Sequence, residues 1–177
     1  QDAISSFGNT VTNSGGFGNT VTQTSRHGMD NVGVHRALYC GNVIAHTGAG
    51  QGIEAKGGSN DILFESNVFY QVRRFELGGQ NSDATFYWAT PGEANPYTFE
   101  GRRVVARNNL IIDTREAGFE FTGCDDCAAV NNTIFYSGSY AAPVAGVDAN
   151  GGDAIRISNS IINGFDTCPT NSDTGAA

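Results

Sequence analysis

Four short segments share one arrangement of side chains: Ile53-Glu54-Ala55-Lys56, Phe75-Glu76-Leu77-Gly78, Phe119-Glu120-Phe121-Thr122 and Val147-Asp148-Ala149-Asn150. Each places an acid between two apolar residues. Side chains on a strand alternate between its faces, so the apolar members enter a core and the acids project from the opposite, outward face. Stacked one on another, these strands would set Glu54, Glu76, Glu120 and Asp148 in a ladder, with Asp30 as an earlier rung. Like charges about 5 Å apart repel by roughly 1 kcal/mol in water, and by more where screening is poor. Protonation of one member, a cation such as Ca²⁺ held by Glu54, Glu76, Glu120 and Asp148, or neighbouring Lys and Arg would offset that cost. Lys56, the only lysine, lies two residues after Glu54 and shares its face. Two readings stand side by side: a solvated acidic stripe that aids solubility, and a cation-assisted site for an extended polymer. Two rung carboxylates, roughly 5 or 9.5 Å apart, could also act as the pair of a glycoside hydrolase.

A ladder of this kind needs a repeating scaffold, and the sequence carries one. Asparagine recurs between two apolar runs at Asn42, Asn67, Asn109, Asn132 and Asn159. The unit is about 25 residues, with one long insertion between Asn67 and Asn109, a period that suits the coil of a parallel β-helix. Aligned on these asparagines, the position four before (Leu38, Leu63, Val105, Ala128, Ile155) and the position two after (Ile44, Phe69, Ile111, Ile134, Ile161) are apolar throughout. Both columns are expected to fill the interior, with each asparagine at a corner, in an unusual backbone conformation and bonded to its neighbours above and below.

The 177 residues suit one all-β domain, a solenoid of five to six coils spanning 1–177. Residues 1–25 contain Phe-Gly-Asn-Thr-Val-Thr twice and read as paired short strands about a Ser-Gly-Gly turn or as edge and cap material, a cap or partial coil in either case. Residues 80–100 form the inserted loop, whose aromatics include Tyr87 and Trp88, candidates for stacking on sugar rings or for packing the loop down. Residues 167–177 read as a polar tail or the cut end of a longer solenoid. The 24 glycines favour tight turns over long helices. With 18 acidic against 10 basic residues the net charge is −8, which disfavours nucleic acid as a partner. No apolar run approaches the length of a membrane span. The composition favours a secreted or cell-surface setting. Four cysteines leave three pairings open, and Cys124-Asp-Asp-Cys127 reads as a local disulfide or two buried thiols.

From Arg26 to about Gly164 the chain resembles bacterial secreted right-handed parallel β-helix repeat proteins, through GIEAKGGSNDILFESNVF, FEGRRVVARNNLII and FTGCDDCAAVNNTIF. More remotely, EAKGGSNDILFESNVF is similar to chondroitinase B-type and alginate lyases. That resemblance implies an acidic, uronate-containing polysaccharide as substrate, Lys56 as base, an assisting arginine and Ca²⁺ against the uronate carboxylate. The family's arginine position falls on Gly78, which leaves Arg73 or Arg74 to reach the site from the turn. The family's calcium positions fall on Ala49 and Gln51. If the chain is an enzyme, a polysaccharide lyase is expected, with Lys56, Arg73 and Arg74 as catalytic residues and Glu54, Glu76, Tyr87 and Trp88 binding substrate. The competing reading is a non-catalytic solenoid for carbohydrate binding, surface attachment or end-to-end assembly. His27, His35 and His46 are further acid–base candidates. No nucleophile elbow, phosphate loop or dinucleotide fingerprint is present in the sequence.

Overall fold

The computed structural model describes residues 4–12, 15–79, 99–138, 145–164 and 170–171, with side chains for all but the first and last of these stretches. Among them there is no helix, and the strands stack in parallel as a β-solenoid of about five turns. Each turn contributes one strand bearing the acid, one leading up to the asparagine and a short one beyond it. The first two kinds belong to one sheet, and Met29–Cys40 passes through both: its start pairs with Ile53–Lys56 and its end with Ser59–Glu65. The third kind makes a second sheet of Thr20–Thr22, Val43–Ala45, Val68–Tyr70, Leu110–Ile112, Thr133–Phe135 and Ile161–Asn163.

The interior is filled rung by rung. Ile44, Phe69, Ile111 and Ile134 form one buried column, and Ile53, Phe75, Phe119 and Val147 another. Phe64, Phe75 and Phe119 pack in sequence, with ring centroids 5.3 and 4.9 Å apart. Fully burying each such ring contributes roughly 1.5–3 kcal/mol.

The asparagine column is a hydrogen-bond ladder. The backbone N–H and the Nδ2 of Asn42 both donate to Asn67 Oδ1, at 2.9 Å each. Asn67 donates in the same way to Asn109, and Asn109 to Asn132. The second Nδ2 proton reaches back to a backbone carbonyl, that of Tyr39 in the case of Asn67. The unusual backbone conformation belongs not to the ladder asparagine but to the residue before it: Gly41, Ser66, Asn108 and Asn131 have φ of 66, 56, 57 and 54°. This left-handed residue turns the chain and resets the alternation of faces. The inward positions are therefore three and five before the asparagine, as in Tyr39, Phe64 and Ala106 with Ala37, Ile62 and Val104. Of the column expected inside, Leu38, Leu63 and Val105 lie half-buried on the outer surface, whereas Ala128 is buried and Ile155 packs against the core.

The last copy also shifts by one. Val130 pairs with Ser158 and Ile134 with Ile162, so Ser160, not Asn159, extends the ladder and accepts the N–H of Asn132 at 3.2 Å. Asn159 is the left-handed corner residue, with φ of 50°. At the other end, the described strands of the first 25 residues stack on the next coil, and no pairing of one with another is seen among the described residues. Ile4–Thr12 and Gly15–Phe17 stack in parallel on Met29–Cys40, and Thr20–Thr22 on Val43–Ala45, as in the other coils. Cys124 and Cys127 form a disulfide, and Cys40 is a free thiol. Cys168, Tyr87, Trp88 and most of the 80–100 and 167–177 segments lie outside the described residues.

Candidate functional site

The acids stack in register. Asp30 pairs with Glu54, Glu54 with Glu76, Glu76 with Glu120 and Glu120 with Asp148. The ladder is not a solvated stripe, because Asp30, Glu54, Glu76 and Glu120 are buried at 4, 2, 0 and 4% exposure, and Asp148 alone is half-buried. Burial on the outward side requires a covering layer of matching charge. Lys56 Nζ lies 2.8 Å from Glu54 Oε1 and 3.5 Å from Asp30 Oδ1. Arg74 lies across the next two rungs, with Nη2 3.2 Å from Glu76 and Nη1 2.6 Å from Glu120. Glu116 holds both arginines of the turn, Arg73 at 2.7 Å and Arg74 at 2.9 Å. Gln51 Nε2 donates to Glu76 Oε2, and Thr122 donates to Glu120 at 3.0 Å. Of the ways to offset the ladder's charge, the structure shows neighbouring cations, Lys56 against Asp30 and Glu54 and Arg74 against Glu76 and Glu120.

The turn before each ladder strand explains how Arg74 comes to stand there. The residue two before the acid is Gly28, Gly52, Gly118 and Gly146 in four coils, and Arg74 in the fifth. A Cβ at Gly28 would lie 2.4 Å from Ile44 Cγ2, and one at Gly118 2.5 Å from Ile134 Cγ2, so the column is glycine by close packing. Only at Arg74 does the chain carry a side chain there. Beside it the register slips, Glu54 pairing with Glu76 but Ala55 with Gly78, which is the bulge geometry that re-aims side chains. Gly79 lies directly over the stem of Lys56: a Cβ on it would meet Lys56 Cβ at 2.6 Å.

These groups line a cavity of about 370 Å³ bounded by Arg26, His27, Ala49, Gly50, Gln51, Glu54, Lys56, Arg73, Arg74 and Glu76. Lys56, Arg73, Arg74, Glu54 and Glu76, singled out from sequence, thus meet at one place. Glu120 adjoins it through Arg74, and Asp148 is a rung further on. Glu116 is not singled out from sequence, and Gln51 only as a position where the remote resemblance puts a calcium ligand. The break in the glycine column at Arg74 is the signal that reading missed.

The protonation states diverge sharply over a short distance. Burial alone would lower the Lys56 ammonium, but Glu54 and Asp30 outweigh it and hold the group above its ordinary value. Burial would raise Glu54, yet the His27 contact and the Lys56 charge hold it well down; burial and the charge of Glu54 push its neighbour Asp30 up. Burial pushes Glu76 up to about 7, against the opposing charge of Arg74, and it raises Glu120 in the same way. The site therefore holds a firmly charged lysine, an ionised Glu54 and a Glu76 that is only partly ionised near neutrality.

Comparison of the chain with protein-family models, with curated proteins and with solved structures found no match in any of the three.

Proposed function

We propose that this cavity binds a uronate unit of an acidic polysaccharide and that the chain is a carbohydrate-active solenoid working at the cell surface or in the secreted space. One observation carries the reading: of the charged groups that line the cavity, the cations are the ones a ligand can reach and the acids are sealed, while Glu116, 38% accessible, stands outside the lining as the partner of Arg73 and Arg74. Arg26 is exposed and the side chain of Arg73 is 32% accessible, whereas those of Glu54 and Glu76 are 2% and 1% accessible. On a chain with net charge −8 this is a local reversal of sign, and it focuses an anionic group into the cavity. Arginine is suited to the task because its planar fork matches a carboxylate. The Cys124–Cys127 disulfide fits an oxidising compartment.

Lyase chemistry is the second reading, favoured by the convergence of Lys56, Arg73 and Arg74 on one cavity. β-Elimination removes the proton α to the uronate carboxylate and expels the glycosidic oxygen across the adjacent bond. Lys56 is held in the ammonium form, so its role here is to neutralise the uronate carboxylate, and proton removal needs a second group. No step of this reading passes through calcium.

Calorimetric titration with oligoalginate, oligogalacturonate and chondroitin fragments, against neutral glucans, tests both readings. Binding of an acidic oligomer that weakens with salt and at least fivefold in Arg73→Gln is expected. Equal binding of neutral and acidic oligomers, or of none, overturns the site. Growth of unsaturated-uronate absorbance in the same mixtures decides for elimination, and a flat trace for binding alone.

A further inference from the structure

We propose that His27, Asp30 and Glu54 form a binding site for a divalent transition-metal ion, in which Lys56 is the resident cation that the metal displaces. This goes beyond the polysaccharide reading and needs no sugar. Among the described residues these three make the one group of His, Cys, Asp and Glu whose ligand atoms lie within 4.8 Å of one another. All three are buried, at 6, 4 and 2% exposure, on a rigid frame: Asp30 and Glu54 are partners across adjacent rungs, and His27 sits at the corner leading into the first of them.

Two further observations point to a cation between them. Asp30 Oδ1 is buried without a hydrogen-bond partner, and the Lys56 ammonium stands 3.5 Å from it. His27 Nδ1 lies 3.0 Å from Glu54 Oε1, a hydrogen-bonding contact that holds Glu54 down, and a metal bridging the two atoms would take the place of the shared proton. A metal bound about 2.0–2.2 Å from each N and O ligand sets neighbouring ligand atoms about 3–3.5 Å apart, which matches the observed nitrogen–oxygen separation.

The ligand chemistry selects the ion. One imidazole and two carboxylates, without thiolate, suit Zn²⁺, Co²⁺ or Mn²⁺; Ca²⁺ takes six to eight oxygens and no nitrogen. Lys56 Nζ, 2.8 Å from Glu54 Oε1 and 3.5 Å from Asp30 Oδ1, lies against the same two carboxylates that would hold the ion. The apparent affinity is therefore set by a competition between ammonium and metal, and removing the ammonium strengthens the metal.

The test is equilibrium dialysis of the full chain against Co²⁺, Zn²⁺ and Ca²⁺ without polysaccharide, with Co²⁺ followed also by its visible ligand-field absorption. One equivalent of Co²⁺ or Zn²⁺ per chain is expected. Asp30→Asn and His27→Gln should each weaken it at least tenfold, and Lys56→Gln should strengthen it at least tenfold. The gain in Lys56→Gln is a result that misfolding cannot imitate, and circular dichroism checks that the loss variants keep their strands. Three results overturn the site: no uptake by either the wild type or Lys56→Gln, uptake unchanged in both loss variants, or Ca²⁺ bound more tightly than Co²⁺. Metal uptake alongside absent oligosaccharide binding would count against the cavity reading alone, and the converse against the metal alone.

Discussion

Glu76 carries a large electrostatic cost within the ladder. Its Oε1 is buried and unpartnered, while Oε2 takes the donors of Gln51 and Arg74. An ionised carboxylate in that setting is expensive, and burial accordingly raises the group from 4.5 to about 7. A folded-state value above the unfolded one means that the folded chain holds a proton which the unfolded chain releases. The associated stability is complete below about pH 4.5 and is lost as pH rises through about 7. Glu76→Gln imitates the protonated acid. Urea unfolding between pH 5 and 8 should therefore show a clearly shallower alkaline loss in this variant, a difference on the order of 2–3 kcal/mol at the upper end. Parallel curves for the two proteins would mean that Glu76 is ionised throughout and that Arg74 outweighs burial.

The corner between the second and third strands of each coil is the element that fixes register. Asn67 donates to Asn109 Oδ1 and Tyr39 O and accepts two bonds from Asn42, all in buried surroundings. Removing its side chain strands several polar partners, so Asn67→Ala should cost about 3 kcal/mol in chemical denaturation. Asn159 resembles Asn67 in sequence but not in position, being an exposed corner residue with φ of 50°. Asn159→Gly should therefore change stability by no more than about 0.5 kcal/mol, since glycine accepts that conformation without strain. Equal losses at the two sites would contradict the one-residue shift of the last rung.

As a whole the described molecule is a stack whose rungs contact only their neighbours, so its outermost described strands pair on one side. Among the described residues Ile161–Asn163 ends the second sheet, and Ile161 is 63% exposed there. Beside it on the outer surface Phe135 is 41% and Leu110 37% exposed. An aliphatic edge of this kind templates another strand, and the scattering mass of the protein should rise with concentration. Ile161→Lys should keep the mass constant, because a charge at an edge opposes pairing. A wild-type mass independent of concentration would show that the edge is blunted in solution.

The repeat, the parallel solenoid and the rung-by-rung alignment of Asp30, Glu54, Glu76, Glu120 and Asp148 were legible in the residues alone. Spacing of about 25 residues and period-two alternation are local properties, and stacking adds nothing that they do not already require. Two things were not legible. A left-handed residue before each asparagine resets the inward parity, so Leu38 faces out and Tyr39 in; parity across a bend depends on backbone torsions that composition does not reveal. The covering of the acids was hidden as well. Whether an outward carboxylate meets water or a cation depends partly on near neighbours, Lys56 for Glu54 and Arg74 for Glu76, and partly on residues far away in sequence, as Arg74 reaches Glu120 and Gln51 reaches Glu76. Alternation dictates which way Glu54 and Glu76 point, but burial, charge and protonation are set by what the folded chain brings to meet them.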